Sequence, residues 1–180
     1  FVGSATKLQG IEDLMDEIVT LFPEPTAHGP LPTVSGGQVA FSTEGDVAVH
    51  VFKTMSDPYV GRFNFVKVVS GTLAPNTELI NSRTGKKERI AHVFKMTGKE
   101  TVDISGAPAG DIAVLAKLSD TLTNDTLSAK GDIEFAPLPL PEPLYPVAIV
   151  AKTKADEDKL GTALRSIVDE DPSLVKIGRA

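Results

Sequence analysis

The chain has 180 residues, of which 41% are hydrophobic and 23% charged, with a net charge of −6. A globular chain of this length is expected to form one or two domains with a core that needs no covalent cross-links. The absence of cysteine excludes disulfides and thiolate metal sites, and it fits a cytoplasmic, reducing location. The net negative charge excludes a protein that binds nucleic acid over its whole surface. It does not exclude nucleic-acid binding by a local basic patch. No signal-peptide pattern and no apolar run of about 18 residues occur, so no membrane partner is predicted.

The first predicted element is an amphipathic helix over residues 11–22, ended by Pro23. Its apolar side chains recur at three- and four-residue spacing, and its acidic side chains lie on the opposite face. We interpret those acids as a solvated face rather than a catalytic or metal cluster. The residues before the helix are predicted to end a strand. Because that strand has no partner within residues 1–10, we expect the chain to be a piece of a larger protein.

Residues 23–46 contain four prolines and Gly36-Gly37 and show no sustained period, so they are predicted to be linker-like. Short strands with turn residues between them follow, which predicts a small antiparallel β-barrel or sandwich. The predicted strands are 47–54, 62–70, 77–82, 87–96, 111–118 and 125–127. In the second of them the apolar alternation changes phase between Phe65 and Val66, which predicts a β-bulge or a barrel corner.

The stretch from Asp57 to Leu79 is predicted to be a β-ribbon whose role is mechanical. Its structural residues are predicted to be Asp57, Pro58, Gly61, Phe63, Phe65, Ser70 and Gly71. The first three would fix the entry, the two phenylalanines would anchor the ribbon in the core, and the Ser-Gly pair would turn the chain back. If Phe65 is a core residue, its replacement by alanine should cost about 3–5 kcal/mol.

Five prolines between residues 137 and 146 predict an extended, semi-rigid connector. Beyond it we predict a strand at 147–152, a helix from about Asp156 with Asp156 as its N-cap, and a further strand at 173–177. Asp171-Pro172 would end this helix. The pattern is strand–helix–strand, the start of a second domain.

No catalytic residue and no metal site is predicted. His28, His50 and His92 have no carboxylate at a motif spacing, and His50 is interpreted as a barrel residue with satisfied ring nitrogens. Gly85-Lys86 and Gly98-Lys99 lack the remaining residues of a phosphate loop.

Basic side chains cluster in the segment 82–99. Arg83, Lys86, Lys87 and Arg89 are candidates for contacts with the phosphates of RNA, because cations on a protruding turn reach a nucleic-acid backbone. A hairpin tip with merely solvated charges is an equally weighted interpretation. The chain has no tryptophan and two tyrosines, so base stacking is not expected.

Taken in order, four segments resemble bacterial elongation factor G, a translational GTPase. They are "VFKTMSDPYVGRFNFVKVVSGTL" at 51–73, "GKKERIAHVFKMTGKE" at 85–100, "AGDIAVLAKLSDTLTNDTL" at 109–127 and "AKTKADEDKLGTALRSIVDEDPSL" at 151–174. In addition, Gly3, Ser4 and Ala5 resemble the last guanine-recognition box of the GTPase domain, which meets the base with backbone N–H groups.

The resemblance implies a mainly β fold, with a barrel of the translation-factor second-domain type between an N-terminal helical segment and half of a ferredoxin-like domain. It divides the chain into the tail of a GTP-binding domain (1–30), a linker (31–46), the barrel (47–136), a proline-rich linker (137–143) and the start of the third domain (144–180). The implied partners are the small-subunit RNA of the ribosome and the rest of the protein's own chain. GTP and Mg²⁺ are implied for the whole protein, and no cofactor for this piece.

Departures from the family pattern limit this expectation. The chain has no phosphate loop, no switch segments and no Asn-Lys-x-Asp base reader, so this piece is not expected to hydrolyse GTP. Residues 34–50 and 123–127 depart from the usual family sequence, which favours a divergent elongation-factor-G-like paralogue. Two alternatives stay open: a structural or peptide-binding β-barrel module, and a ribosome-protection or release-factor relative of the same family.

Overall fold

The computed structural model describes residues 2–57 and 61–177, without the side chains of His28 and Asp158. Within these residues the chain forms two α-helices, α1 (Ile11–Leu21) and α2 (Lys154–Glu170), and a short 3₁₀ helix (Pro25–His28). The strands, in chain order, are β1 (Leu31–Pro32), β2 (Gln38–Val39), β3 (Ala48–Asp57), β4 (Gly61–Ser70), β5 (Thr72–Leu73), β6 (Thr77–Asn81), β7 (Lys87–Ile90), β8 (Phe94–Thr97), β9 (Glu100–Asp103), β10 (Ala107–Pro108), β11 (Ile112–Ala116) and β12 (Thr126–Ser128).

Eight strands form one curled antiparallel sheet in the order β7-β6-β12-β3-β4-β11-β8-β9. The mainly β, barrel-type fold class is therefore confirmed. Two small antiparallel pairs, β1-β2 and β10-β5, lie beside the sheet. Each of the six strands predicted between residues 47 and 127 has a counterpart, although the predicted strand 87–96 is divided into β7 and β8.

Two apolar clusters lie on opposite faces of β3, whose successive side chains alternate between them. Val49 and Val51 belong to the main cluster, as do Leu115 and Leu127. Ala48 belongs to the second cluster, with Val69 and Phe135. Residues Leu31, Val39 and Phe41 pack against this second cluster, so the segment expected to be a linker contributes to the packing.

A register shift lies beside the position of the predicted bulge, but the extra residue belongs to β3: Phe52 is skipped where Val51 pairs with Val66 and Lys53 pairs with Phe65. The register between β3 and β4 shifts twice, between Ala48 and Val49 and between Val51 and Lys53. Val66 and Val68 face the main cluster. Phe65 lies on the opposite face of β4 from Val66 and Val68 and is half-buried. Its ring centroid lies 6.3 Å from that of Phe52, and the Lys53 ammonium lies over its ring. The prediction that Phe65 is a core residue is therefore wrong, and Phe63 is buried without belonging to either cluster.

The predicted ribbon does not form either. After β4 the chain bends at Gly71, which has a φ of 70°, and a Cβ there would lie 2.9 Å from the Gly45 carbonyl oxygen. It then enters β5, which pairs with β10 instead of returning along β4. At the other end Asp57 pairs with Gly61, where φ is 93°, and Pro58 lies outside the described residues.

The predicted helices are confirmed, but the start of the second one and its flanking strands are not. Helix α2 begins earlier than expected, because Thr153 is the N-cap and its hydroxyl accepts a hydrogen bond from Asp156 N at 3.3 Å. Residues 147–152 and 173–177 form no strand in the described structure. Among the described residues, no helix is long and apolar enough to cross a lipid bilayer.

Candidate nucleic-acid interface

The turn that joins β6 to β7 presents the basic residues at one edge of the sheet. The Asn81 side-chain oxygen accepts hydrogen bonds from Arg83 N at 3.0 Å and Thr84 N at 3.2 Å, which closes the start of the turn. Gly85 then takes a φ of 67°, a conformation that glycine adopts without strain. Beyond the turn, the side chains of Lys87 and Arg89 are exposed and the alternating ones are buried. The local sequence therefore closes a hydrogen-bonded turn and leaves Lys87 and Arg89 exposed beyond it.

Arg83 is joined to the sheet by a bidentate ion pair. Its Nε lies 2.6 Å from Asp125 Oδ1 and its Nη2 lies 2.8 Å from Asp125 Oδ2. Asp125 is only 4% exposed, and the hydrogen bond to this carboxylate raises the pKa of the Arg83 guanidinium. Arg83 Nη2 also donates to the Asp120 carbonyl at 2.7 Å. Much of the Arg83 side chain is thus used to hold the turn against the loop 117–125.

Lys86 and Lys87 form single ion pairs at the surface. The ammonium of Lys86 lies 2.5 Å from Asp120 Oδ2, and that of Lys87 lies 2.6 Å from Glu78 Oε1. Each hydrogen bond raises the pKa of the lysine, and the bond from Lys86 lowers the pKa of Asp120. Exposed pairs generally contribute little to stability, so both ammonium groups can exchange their partner for another anion.

Glu88 holds this region together, and the sequence did not identify it. It lies between Lys87 and Arg89 but is 3% exposed, and its carboxylate accepts three hydrogen bonds. The donors are Ser119 N at 3.0 Å, Asp120 N at 2.9 Å and Thr121 Oγ1 at 3.0 Å. The alternation of exposed and buried residues in β7 was the only signal in the sequence that could have placed it inside.

The loop 117–125 carries the other half of the site. Lys117 and Asn124 both have positive φ, 61° and 73°. Leu122 N donates to Asp125 Oδ2 at 2.9 Å, and Asn81 Nδ2 donates to the same oxygen at 2.8 Å. Through Glu88 and Asp125, the loop and the basic turn form one hydrogen-bonded unit.

A polar cleft of about 420 Å³ opens beside this unit. Its cations are Arg62, Arg83 and Lys86, and its acidic residues are Asp120 and Asp169. Arg62 comes from β4 and Asp169 from the last turn of α2, so separate parts of the chain meet there. Lys87 does not line the cleft, and neither does Arg89.

The predicted guanine box lies in a different part of the chain. Ser4 and Gln9 exchange two backbone hydrogen bonds, each of 3.1 Å, and so close a small loop ahead of α1. Gly3 packs closely against this loop, since a Cβ there would lie 2.9 Å from the Gln9 carbonyl oxygen. Ala5 is exposed. The role of these three residues in nucleotide binding stays a prediction.

Comparison with known proteins matches the architecture described above. A family model described as "Elongation factor G domain 2" matches residues 46–130, which contain the curled sheet. A second, described as "Elongation Factor G, domain III", matches residues 140–177, which contain α2. The crystal structure of a protein from Thermus thermophilus has a TM-score of 0.71 and 28% sequence identity to this chain. The match covers 92% of this chain and 23% of that one, so this chain spans about a quarter of the length of its structural relative.

The order of a barrel-type β domain, a proline-rich segment and a second domain is thus that of a translation elongation factor. The chain belongs to the elongation factor G family, and its two matched segments correspond to the second and third domains of that family. The resemblance seen in the sequence is confirmed. The domain boundaries drawn from it, at 47–136 and 144–180, stay predictions.

Proposed function

We propose that this chain is the ribosome-binding middle part of a translational GTPase of the elongation factor G type. In the whole protein, GTP hydrolysis would drive the movement of transfer RNA and messenger RNA. The GTP and Mg²⁺ would be bound outside the β domain, with Gly3, Ser4 and Ala5 closing the guanine site. The β domain would contribute a rigid body that contacts the RNA of the small ribosomal subunit in the cytoplasm.

The observation that carries this proposal is the rigid basic turn at the edge of the sheet. Lys86, Lys87 and Arg89 are exposed there, and the turn that bears them is held by Asn81 and Glu88. A preorganised cationic tip loses little conformational entropy when it meets a phosphate backbone. Arg83 is bound to the buried carboxylate of Asp125, so the test below uses the other three cations.

The test is binding of the full-length protein to ribosomes at increasing KCl concentration. If these three cations contact RNA, they should contribute about −2 to −3 to the slope of log affinity against log salt concentration. The charge reversal K86E/K87E/R89E should abolish binding. The matched control is K95E/K99E, which reverses lysines on the β8-β9 hairpin at the opposite edge of the sheet.

An unchanged affinity of the triple variant would contradict the proposed contact and favour the alternative of a structural or peptide-binding β-module. Loss of binding in the control alone would assign the interface to the other edge.

Ribosome-stimulated GTP hydrolysis, with messenger-RNA movement followed in the same reaction, separates a translocating factor from a divergent paralogue, because only the first gives both signals.

A further inference from the structure

The cleft between the basic turn and the end of α2 brings together cations that come from distant parts of the chain. Arg62 lies on β4, and Arg83 and Lys86 lie on the turn between β6 and β7. Their side chains line the same open cavity of about 420 Å³. Guanidinium groups that converge on one space match the oxygen geometry of a phosphate group.

Helix α2 closes this cleft with a carboxylate. Asp169 Oδ2 accepts a hydrogen bond from Arg62 Nη2 at 2.6 Å, and both side chains are about three-quarters buried (27% and 23% exposed). The next residue, Glu170, accepts a hydrogen bond from Ser56 N at 2.8 Å. The carboxylate of Asp169 therefore occupies the position on Arg62 that the oxygens of a phosphate would take.

The attachment of α2 to the sheet is light. None of the described side chains of α2 is buried, and Ile167, one turn from its end, is 49% exposed. The hydrogen bonds that join α2 to the sheet include those accepted by Asp169 and Glu170, both in the last turn of the helix. A contact of this size can open and close without disturbing the sheet.

While α2 is docked, each of the three cations that line the cleft has a carboxylate partner. Arg62, Arg83 and Lys86 are then opposed by Asp120, Asp125 and Asp169. Asp120 and Asp125 belong to the loop 117–125, which Glu88 and Asn81 hold in place. Asp169 alone comes from α2. When α2 leaves, the cleft gains one net positive charge, and the guanidinium of Arg62 loses its carboxylate partner.

We propose that this cleft binds a phosphate group of an RNA backbone and that α2 controls access to it by placing Asp169 on Arg62. Docking of α2 and binding of phosphate then exclude each other, so each weakens the other by the same factor. The inference rests on the proposed function for the source of the phosphate. Free inorganic phosphate has the same chemistry and is the other source to be tested.

The experiment measures the affinity of the full-length protein for a short fluorescent oligouridylate by anisotropy, in the wild type and in variants. D169N removes the blocking charge and should tighten binding about fivefold, the lower range of measured coupling between sites. D171N is the matched control: it removes the same charge two residues further on, where Asp171 accepts hydrogen bonds from Ser173. It should leave the affinity unchanged. R62Q/D169N should lose the gain, because the guanidinium that D169N uncovers is missing.

E170Q provides a second route that leaves the lining of the cleft intact. It weakens the bond to Ser56 N and should also tighten RNA binding, by less than D169N. Thermal unfolding of each variant establishes that the sheet is intact. Competition by inorganic phosphate then identifies the source of the bound phosphate group. Displacement of the RNA by inorganic phosphate shows that both occupy the cleft. If D169N raises the affinity for inorganic phosphate but not for RNA, the cleft is a site for the free ion.

Equal affinities of D169N and D171N, or a gain that persists in R62Q/D169N, would overturn the proposal. Its failure can be distinguished from that of the proposed function. If the wild-type protein binds ribosomes while D169N behaves as D171N, the cleft proposal alone is wrong. If ribosomes are not bound while D169N gains affinity for the oligouridylate, the cleft is an anion site and the proposed function is wrong.

Discussion

His50 has an environment that differs from the one its sequence predicts. It lies on β3, 6% exposed, on the face of the second apolar cluster, with its ring 5.8 Å from that of Phe135. Its Nε2 is buried and has no hydrogen-bond partner among the described residues, so the interpretation of a satisfied histidine is wrong. Burial lowers the pKa of the imidazole below its ordinary value of 6.5, because the charged form loses its hydration.

The lowered pKa predicts that the protein is less stable in mild acid. The unfolded chain takes up a proton at His50 near the ordinary pKa, whereas the folded chain does so only at lower pH. Stability is therefore full above about pH 6.5 and falls as the pH decreases toward the lowered pKa of the folded state. Urea unfolding at about pH 7.5 and about pH 5.5 should show this loss, and His50→Leu should remove the part that His50 causes.

His92→Gln is the control for that measurement. His92 is exposed, stacks on Phe94 and pairs with Asp103 at 3.0 Å, so its replacement leaves the burial of His50 unchanged. A pH dependence that is the same in the wild type and in His50→Leu would show that His50 is not its cause.

At the scale of elements, β7 and the loop 117–125 are joined by one side chain. The Glu88 carboxylate accepts hydrogen bonds from two backbone N–H groups and one hydroxyl of the loop. Buried N–H groups that lose a charged acceptor are expensive to leave unpaired. The loop should therefore depend on this carboxylate for its order.

Glu88→Gln tests this dependence with almost no change in shape. The amide can accept hydrogen bonds with only one of its two terminal atoms, so at least one donor of the loop loses its partner. We expect a loss of about 1.5–3 kcal/mol in the free energy of unfolding and faster hydrogen exchange at Ser119 or Asp120. Glu78→Gln, which removes the exposed partner of Lys87, should change the stability by less than about 1 kcal/mol. Similar losses in both variants would contradict a special role of Glu88.

The six strands predicted between residues 47 and 127 have counterparts in the main sheet, whereas their order in the sheet could not be predicted. Local alternation places the strands, but the order of the sheet depends on contacts between distant residues, such as the insertion of β12 between β6 and β3. The strand expected at 147–152 has suitable residues, yet in the described structure it forms no ladder, since a strand requires a partner. Phe65 was misplaced because the bulges that set its phase involve β3 as well as its own strand.

The basic residues of the candidate site were likewise visible in the sequence, whereas their partners were not. Arg83 pairs with a carboxylate 42 positions away, and Arg62 with one 107 positions away. No spacing rule connects such pairs, because the fold alone brings them together. Arg62 was not among the predicted contacts for this reason: its own neighbourhood in the sequence is a mixed strand without a cluster of cations.

At the scale of the whole molecule, the sheet and α2 differ in how firmly they are held. The sheet surrounds a fully buried cluster that includes Val51 and Leu127, while α2 lies on β3 without a buried side chain among those described. Hydrogen exchange should therefore detect two levels of protection, with α2 opening at a lower free energy than the sheet. This difference is what the proposed displacement of α2 from the cleft requires.

Thr153→Val tests whether α2 opens independently. Its hydroxyl caps the helix through Asp156 N, and loss of such a cap costs about 1 kcal/mol, which corresponds to about fivefold less protection of the α2 amides. The amides of Val51 and Leu127 in the sheet should keep their protection. The cap lies at the N-terminal end of α2, whereas Asp169 and Glu170, which contact the sheet, lie at its C-terminal end. Thr20→Val is the control, since Thr20 lies within α1 and its hydroxyl donates to the Asp16 carbonyl at 2.8 Å. If the sheet amides lost protection in parallel with α2, the two would unfold as one unit, and α2 could not leave the cleft while the sheet stays folded.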